Sequence, residues 1–210
     1  LLCLLIFYKQ SSRGPLRRSF TADACFISSG VKITIGGDAC PSGMGAYLAA
    51  DSYYSRTLLS WFPVAVTDFD REYLQLEPGP KSQQIPGCLC MLIALKLWME
   101  SWSAKRCVLQ ADTDNWTNIS MLSRLKASTT SLRNIAKDMA LLFTQVGQEP
   151  KIVNHVPGVS HVIADTLSRR FETQDWQVPA MLLEHSAPEA HPPMRDLRWW
   201  LTSSLPQQPT

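Results

Sequence analysis

From Val31 to Asp38 apolar and polar residues alternate, with Val31, Ile33 and Ile35 on one face, and a period of two predicts a half-buried strand. Pro41-Ser-Gly43 turns the chain, Met44 to Ala50 predicts a second strand and Tyr53 to Phe62 a third, so the three form an antiparallel meander. Thr67 to Ser82, with Pro78-Gly79-Pro80, predicts a loop. From Gln83 to Trp102 the period becomes helical: Leu89, Leu92, Ile93, Lys96 and Leu97 recur at spacings of three and four, flanked by Trp98 and Trp102. Arg106 to Ala111 predicts a fourth strand, Asn115 to Lys126 and Thr129 to Val146 amphipathic helices, Lys151 to Val156 a last strand and His161 to Arg170 a last helix. The order β-β-β-α-β-α-α-β-α specifies an α/β fold: a mixed five-stranded sheet flanked by helices.

Outside residues 29–172 the pattern fades. Leu1 to Tyr8 is apolar but too short to span a bilayer, and no basic stretch precedes it as in a signal peptide. Residues 9–28 are polar and basic. Together 1–28 are expected to be a tail or linker from an upstream region, the chain beginning with Leu1 as a slice of a longer polyprotein would. Residues 173–210, rich in proline, are expected to form a loose C-terminal tail in which Trp199 and Trp200 can dock on a surface. The 210 residues are 45% hydrophobic, enough for a core, and the net charge of +2 gives no basic field to advertise nucleic acid. Six cysteines without a C-x-x-C pair read as free thiols of a reducing compartment. Two glycosylation sequons, at Asn115 and Asn118, are read as chance, and the expected location is intracellular.

Three carboxylates fall where this order of elements brings distant residues together. Asp38 ends the first strand behind Gly36-Gly37, Asp114 follows the fourth strand, and Asp165 opens the last helix. Clustered carboxylates bind hard divalent cations such as Mg²⁺ or Mn²⁺, and two such ions can serve phosphodiester hydrolysis. Each has a plainer reading. Asp38 could cap the turn before Pro41, Asp114 could cap the helix near Asn115, and Asp165 could simply favour a helix N-terminus. Asp112 rivals Asp114 as a ligand, because period-two spacing puts both on one strand face. His155 stands at the end of the last strand, either as part of the site or as a packing residue; His161 is given only a helix-start role. Ser168 has no nucleophile elbow around it. Trp98 and Trp102 read as core. Arg124, Lys126, Arg133 and Lys137 could follow a phosphate backbone or be a solvated face.

The segments Gly37-Asp38-Ala39-Cys-Pro-Ser-Gly43-Met-Gly45-Ala46, Ala94-Leu95-Lys96-Leu97-Trp98, Thr113-Asp114-Asn115 and the run from His155 through Pro157-Gly158, His161 and Ala164-Asp165 to Leu167-Ser168-Arg169 resemble the ribonuclease H domain of a retroelement polyprotein, of the gypsy-like or tyrosine-recombinase kind. The resemblance spans roughly residues 29–172. It implies a ribonuclease H-like fold, an upstream reverse transcriptase domain as partner in the same polyprotein, and cleavage of the RNA strand of an RNA–DNA hybrid by four acidic residues and two Mg²⁺ ions. Asp38, Asp114 and Asp165 carry over as metal ligands, and His155 as a histidine assisting water activation or product departure. The fourth acid is expected eleven residues before Trp98, where this chain has Gly87. Glu100 does not replace it, being about 20 Å further along the helix at ~1.5 Å per residue, and Glu77 lies across the Pro78-Gly79-Pro80 loop. The expectation is a folded domain with severely reduced cleavage and a poorly held second ion. The competing function is a non-catalytic nucleic-acid-binding or subunit-contact module on the same fold, and a third is a different nuclease or transposase.

Overall fold

The computed structural model describes residues 31–52, 55–77, 84–103, 107–172 and 174–202. Five strands form one sheet in the order β3-β2-β1-β4-β5: β1 (Val31–Ala39), β2 (Gly43–Asp51), β3 (Arg56–Ala65), β4 (Cys107–Thr113) and β5 (Ile152–His155). The meander pairs β1 with β2 and β2 with β3 antiparallel, while β1–β4 and β4–β5 are parallel. The mixed five-stranded sheet flanked by helices expected from the sequence is the architecture found.

One face carries Ile33 and Ile35 and packs against α2 (Gln84–Leu97) and α5 (Thr130–Val146). Helix α2 lies between the sheet and α5, so every residue from Ile85 to Leu95 is buried. Pro86 sits in its first turn, where the missing N–H has no intrahelical acceptor to lose. Trp98 and Trp102 are buried at the break between α2 and the short α3 (Met99–Ser103), as a core reading requires. Helices α4 (Trp116–Arg124) and α5 carry the chain from β4 to the parallel β5, each started by a side-chain cap, Asn115 on Thr117 N–H and Thr129 on Leu132 N–H.

The other face carries Tyr47, Ala49, Leu58 and Trp61 and is covered by α6 (Val162–Ser168) through Ala164 and Leu167, with Leu182 of α7 (Ala180–Glu184) beside them. A Cβ on Gly45 would run into Leu167 and the Ser168 backbone, and one on Gly43 into the Ser168 carbonyl. The two glycines therefore let α6 lie directly on the β2 backbone.

Two expectations need correction. The loop at 67–82 contains a helix, α1 (Asp68–Tyr73), started by a capping box in which Thr67 and Asp70 bond each other's backbone N–H; residues 78–83 lie outside the described residues. The C-terminal segment is anchored at several points of its described length through Leu182, Arg195 and Trp200, where a loose tail was expected. It runs beside β3, where Trp61 N–H donates to the Pro188 carbonyl and Ala190 N–H to the Trp61 carbonyl. Further on, Arg195 reaches the buried Asp70, and in α8 (Leu197–Thr202) Trp200 stacks on Tyr73 at 4.5 Å. The Trp199–Trp200 docking is present. The strand expected from Tyr53 begins, as described, at Arg56, and residues 1–30 lie outside the described residues.

Cys40, Cys88 and Cys90 are buried free thiols and Cys107 is a half-buried one; Cys3 and Cys25 are outside the described residues. Among the described residues no helix is long and apolar enough to cross a membrane.

Candidate active site

The parallel register sets Gly36 of β1 against Asp112 of β4, and two residues further along each chain come Asp38 and Asp114. Helix α6 brings Asp165 over the same end of the sheet in its first turn. Three elements far apart in sequence thus deliver three carboxylates to one edge. Burial, then the negative charges of Asp114 and Asp165, push the Asp38 carboxyl up to about 7, against the Ala39 amide and Arg169. Asp38 Oδ1 accepts from Ala39 N–H at 2.7 Å. Asp114 is not the cap of α4, since Asn115 fills that position, and its Oδ2 lies against Gly158, where a Cβ would stand 3.5 Å away. Asp165 is held from the solvent side by Arg169, with Nε at 2.9 Å and Nη2 at 2.8 Å from Oδ1.

Asp112 points into a different environment. It is buried, accepts from Gln110 at 2.7 Å and Asn154 at 3.2 Å, and pairs with Arg56 at 3.6 Å. Its Oδ1 already accepts both of these hydrogen bonds, and its Oδ2 faces Arg56. His155 joins the cluster through its edge: Nε2 lies 3.1 Å from the Asp114 carbonyl oxygen. A carbonyl only accepts, so Nε2 carries the hydrogen and Nδ1 is the nitrogen able to take a proton. The imidazole also stacks on the indole of Trp116, centroids 4.5 Å apart and planes 14° from parallel. Ser168 donates to the Asp165 carbonyl at 2.8 Å, a structural use.

Sequence reasoning passed over two residues that shape the site. His161 is 2% exposed, its two ring nitrogens have no hydrogen-bond partner, and its ring meets Tyr47 edge-on. Burial lowers its pKa, opposed by the charges of Asp114, Asp112 and Asp165. The second residue is Asn115. Gly87 sits in the first turn of α2, and a Cβ on it would stand 2.9 Å from Asn115 Nδ2. That amide donates to the Gln84 carbonyl at 3.1 Å while its oxygen caps α4. Thr117 donates to Gln84 Oε1 at 2.6 Å and Asn118 to the Gly87 carbonyl at 3.2 Å. Three polar side chains of α4 therefore clamp the turn from which a carboxylate at 87 would project. Asn118 is wholly buried and the Asn115 amide is hydrogen-bonded, in keeping with chance sequons.

Oxygen donors of this kind suit Mg²⁺ or Mn²⁺. As placed, they do not fit a pair of ions. Among the described residues no three His, Cys, Asp or Glu side chains converge as metal ligands, Asp165 is engaged by Arg169, and residue 87 has no side chain.

No family model matches the chain, and no curated protein does. Among solved structures it is similar to RNase H1 of the halophilic archaeon Halobacterium salinarum NRC-1, with 13% identity, 66% of this chain and 94% of that one covered, and a TM-score of 0.45. It is also similar to an N-terminal RNase H domain from Mycobacterium tuberculosis (14% identity, 66% and 91% covered, TM-score 0.43) and to an RNase H1 isolated from compost (12%, 67% and 93%, TM-score 0.41). At this identity and overlap the likenesses bear on no residue of the site.

Proposed function

We propose that this chain is a ribonuclease H-like domain of a retroelement polyprotein that binds RNA–DNA hybrid and cleaves its RNA strand weakly or not at all. The observation that carries the reading is the placement of Asp38, Asp114 and Asp165 at one end of the sheet by β1, the end of β4 and α6, with the charges of the last two pushing the carboxyl of the first up. His155 beside Asp114, with Nδ1 as its basic nitrogen, fits proton transfer at the same edge. The exposed Arg124, Lys126, Arg133 and Lys137 on and between α4 and α5 suit a phosphate backbone. In this reading residues 1–28 join the domain, 29–172, to a reverse transcriptase-like region that is its partner, and the location is intracellular. Mg²⁺ or Mn²⁺ is the implied cofactor. The alternative, a non-catalytic nucleic-acid-binding or subunit-contact module, is favoured by the clamp of Asn115, Thr117 and Asn118 over Gly87.

Binding and cleavage of a labelled hybrid, in Mg²⁺ and in Mn²⁺, test both. The comparison protein is Gly87→Glu with Asn115→Ser, because serine keeps the helix cap while freeing the space that the Asn115 amide fills. The unaltered chain is expected to bind hybrid and to cut at least about 100-fold more slowly than the double variant, some 2.7 kcal/mol of barrier. Equal rates would refute the impaired-enzyme reading. If both proteins bind and neither cuts, the module reading stands.

A further inference from the structure

We infer that the Trp116–His155 pair is a stacking platform for an unpaired nucleobase, so that the domain grips a hybrid where duplex passes into single strand; this rests on the hybrid-binding reading above. Trp116 is 68% exposed although it is the first residue of α4, two positions after Asp114. Among the described residues the other exposed large hydrophobics are aliphatic or Met except Phe171, which is less exposed at 46%, and Val159 and Val162 lie exposed close in sequence to Gly158. One face of the indole is covered by the His155 imidazole at 4.5 Å. That imidazole is itself fixed by its bond to the Asp114 carbonyl at 3.1 Å, so both rings stand oriented before anything binds. A pre-oriented ring loses little rotamer freedom on contact. Its open face calls for a second flat π-system. The interior of a hybrid offers none, because its bases are stacked on one another, whereas an unpaired base has a free face and stacks on aromatic side chains without regard to sequence. Contact through π-faces also tolerates the neighbouring carboxylates, which would repel a phosphate at the same spot.

The experiment compares a blunt hybrid with one bearing a single-stranded overhang, titrated against the full chain and against Trp116→Ala and Trp116→Phe. The chain is expected to bind the overhang substrate at least about fivefold tighter than the blunt one, in line with the stacking loss seen on alanine substitution elsewhere. Trp116→Ala is expected to erase that preference while binding blunt hybrid as before, and Trp116→Phe to keep most of it. No preference in the unaltered chain, or a preference that survives in Trp116→Ala, overturns the inference and leaves hybrid binding standing. Equal loss on both substrates overturns it too, since the ring would then be touching duplex. Failure of the unaltered chain to bind either substrate removes the hybrid-binding reading itself. Leu183→Ala, at an exposed apolar position on α7, controls for loss of surface apolar area.

Discussion

Asp38 loses most of its water when β1 enters the sheet, and Asp114 and Asp165 then crowd it with like charge. Its folded pKa, about 7, lies above its ordinary value of 3.8. Between those values the folded protein holds a proton that the unfolded chain has released, so stability falls as pH rises through that window and levels off above it. Asp38→Asn has no charge to bury. In metal-free buffer the variant is expected to match the parent near pH 4 and to become progressively more stable toward pH 7. The gap has an upper bound of about 4 kcal/mol, from 1.36 kcal/mol per pKa unit. Urea unfolding across that range reads it directly, and two parallel stability curves would show that the carboxylates are too far apart or too well solvated to interact. Gly87 shows a subtler residue-scale effect. Placing a carboxylate there by Gly87→Glu alone meets the Asn115 amide, which is committed to both the Gln84 carbonyl and the α4 cap. The single substitution is expected to recover less cleavage than the pair with Asn115→Ser, measured on the same hybrid.

At the scale of elements, the placement of Asp165 depends on how closely α6 can lie on β2, and Gly45 sets that distance. Gly45→Ala puts a methyl group against Leu167 and the Ser168 backbone, neither of which is the far end of a flexible chain. Overpacking of this kind typically costs 1–3 kcal/mol. The expected result is a lowered thermal midpoint together with weaker electrostatic coupling at Asp38; an unchanged midpoint would mean that α6 is free to slide. The strands and the long helices are legible in the chain because each rests on a local signal: period two in Val31–Asp38 and a helical period from Gln83. The motifs around Asp38, Asp114 and Asp165 single out three residues that the fold sets at one end of the sheet. Helix α1 was hidden by its shortness, although Thr67 three residues before Asp70 is a start signal. The motif around Asp114 favours it over Asp112 as a ligand although both share one strand parity. What separates their environments is the engagement of Asp112 by Gln110, Asn154 and Arg56, three residues from three strands. The filling of the Gly87 space by Asn115 was likewise a matter of tertiary contact that no spacing encodes.

Across the whole molecule, the anchoring of the segment after residue 173 is not legible in the sequence beyond Trp199 and Trp200, because prolines suggest looseness and the burial of Arg195 leaves no periodic trace. Its position at the edge of the sheet has two consequences. Backbone hydrogen bonds from 188–190 cover part of the edge of β3, which would otherwise offer unpaired groups to another chain. The guanidinium of Arg195, 3% exposed, sits on Asp70, 0% exposed, with contacts of 2.6 Å to Oδ2 and to the Ala65 carbonyl. Neither charge has water to fall back on. Arg195→Ala leaves Asp70 buried with only the Thr67 amide as a partner, and breaking a buried pair from one side typically costs about 3–5 kcal/mol. At about 2–4 °C per kcal/mol for a domain of this size, the thermal midpoint is expected to fall by roughly 10 °C. The joint variant Asp70→Asn with Arg195→Met removes both charges and is expected to recover a large part of that loss, which separates an unpaired charge from mere loss of packing. A chain cut after residue 172 should show the full deficit of Arg195→Ala and, with the β3 edge and Trp61 uncovered, a tendency to self-associate visible in sedimentation. A cut chain as stable and monomeric as the whole would show that the strap along β3 is dispensable and that residues 29–172 fold unaided.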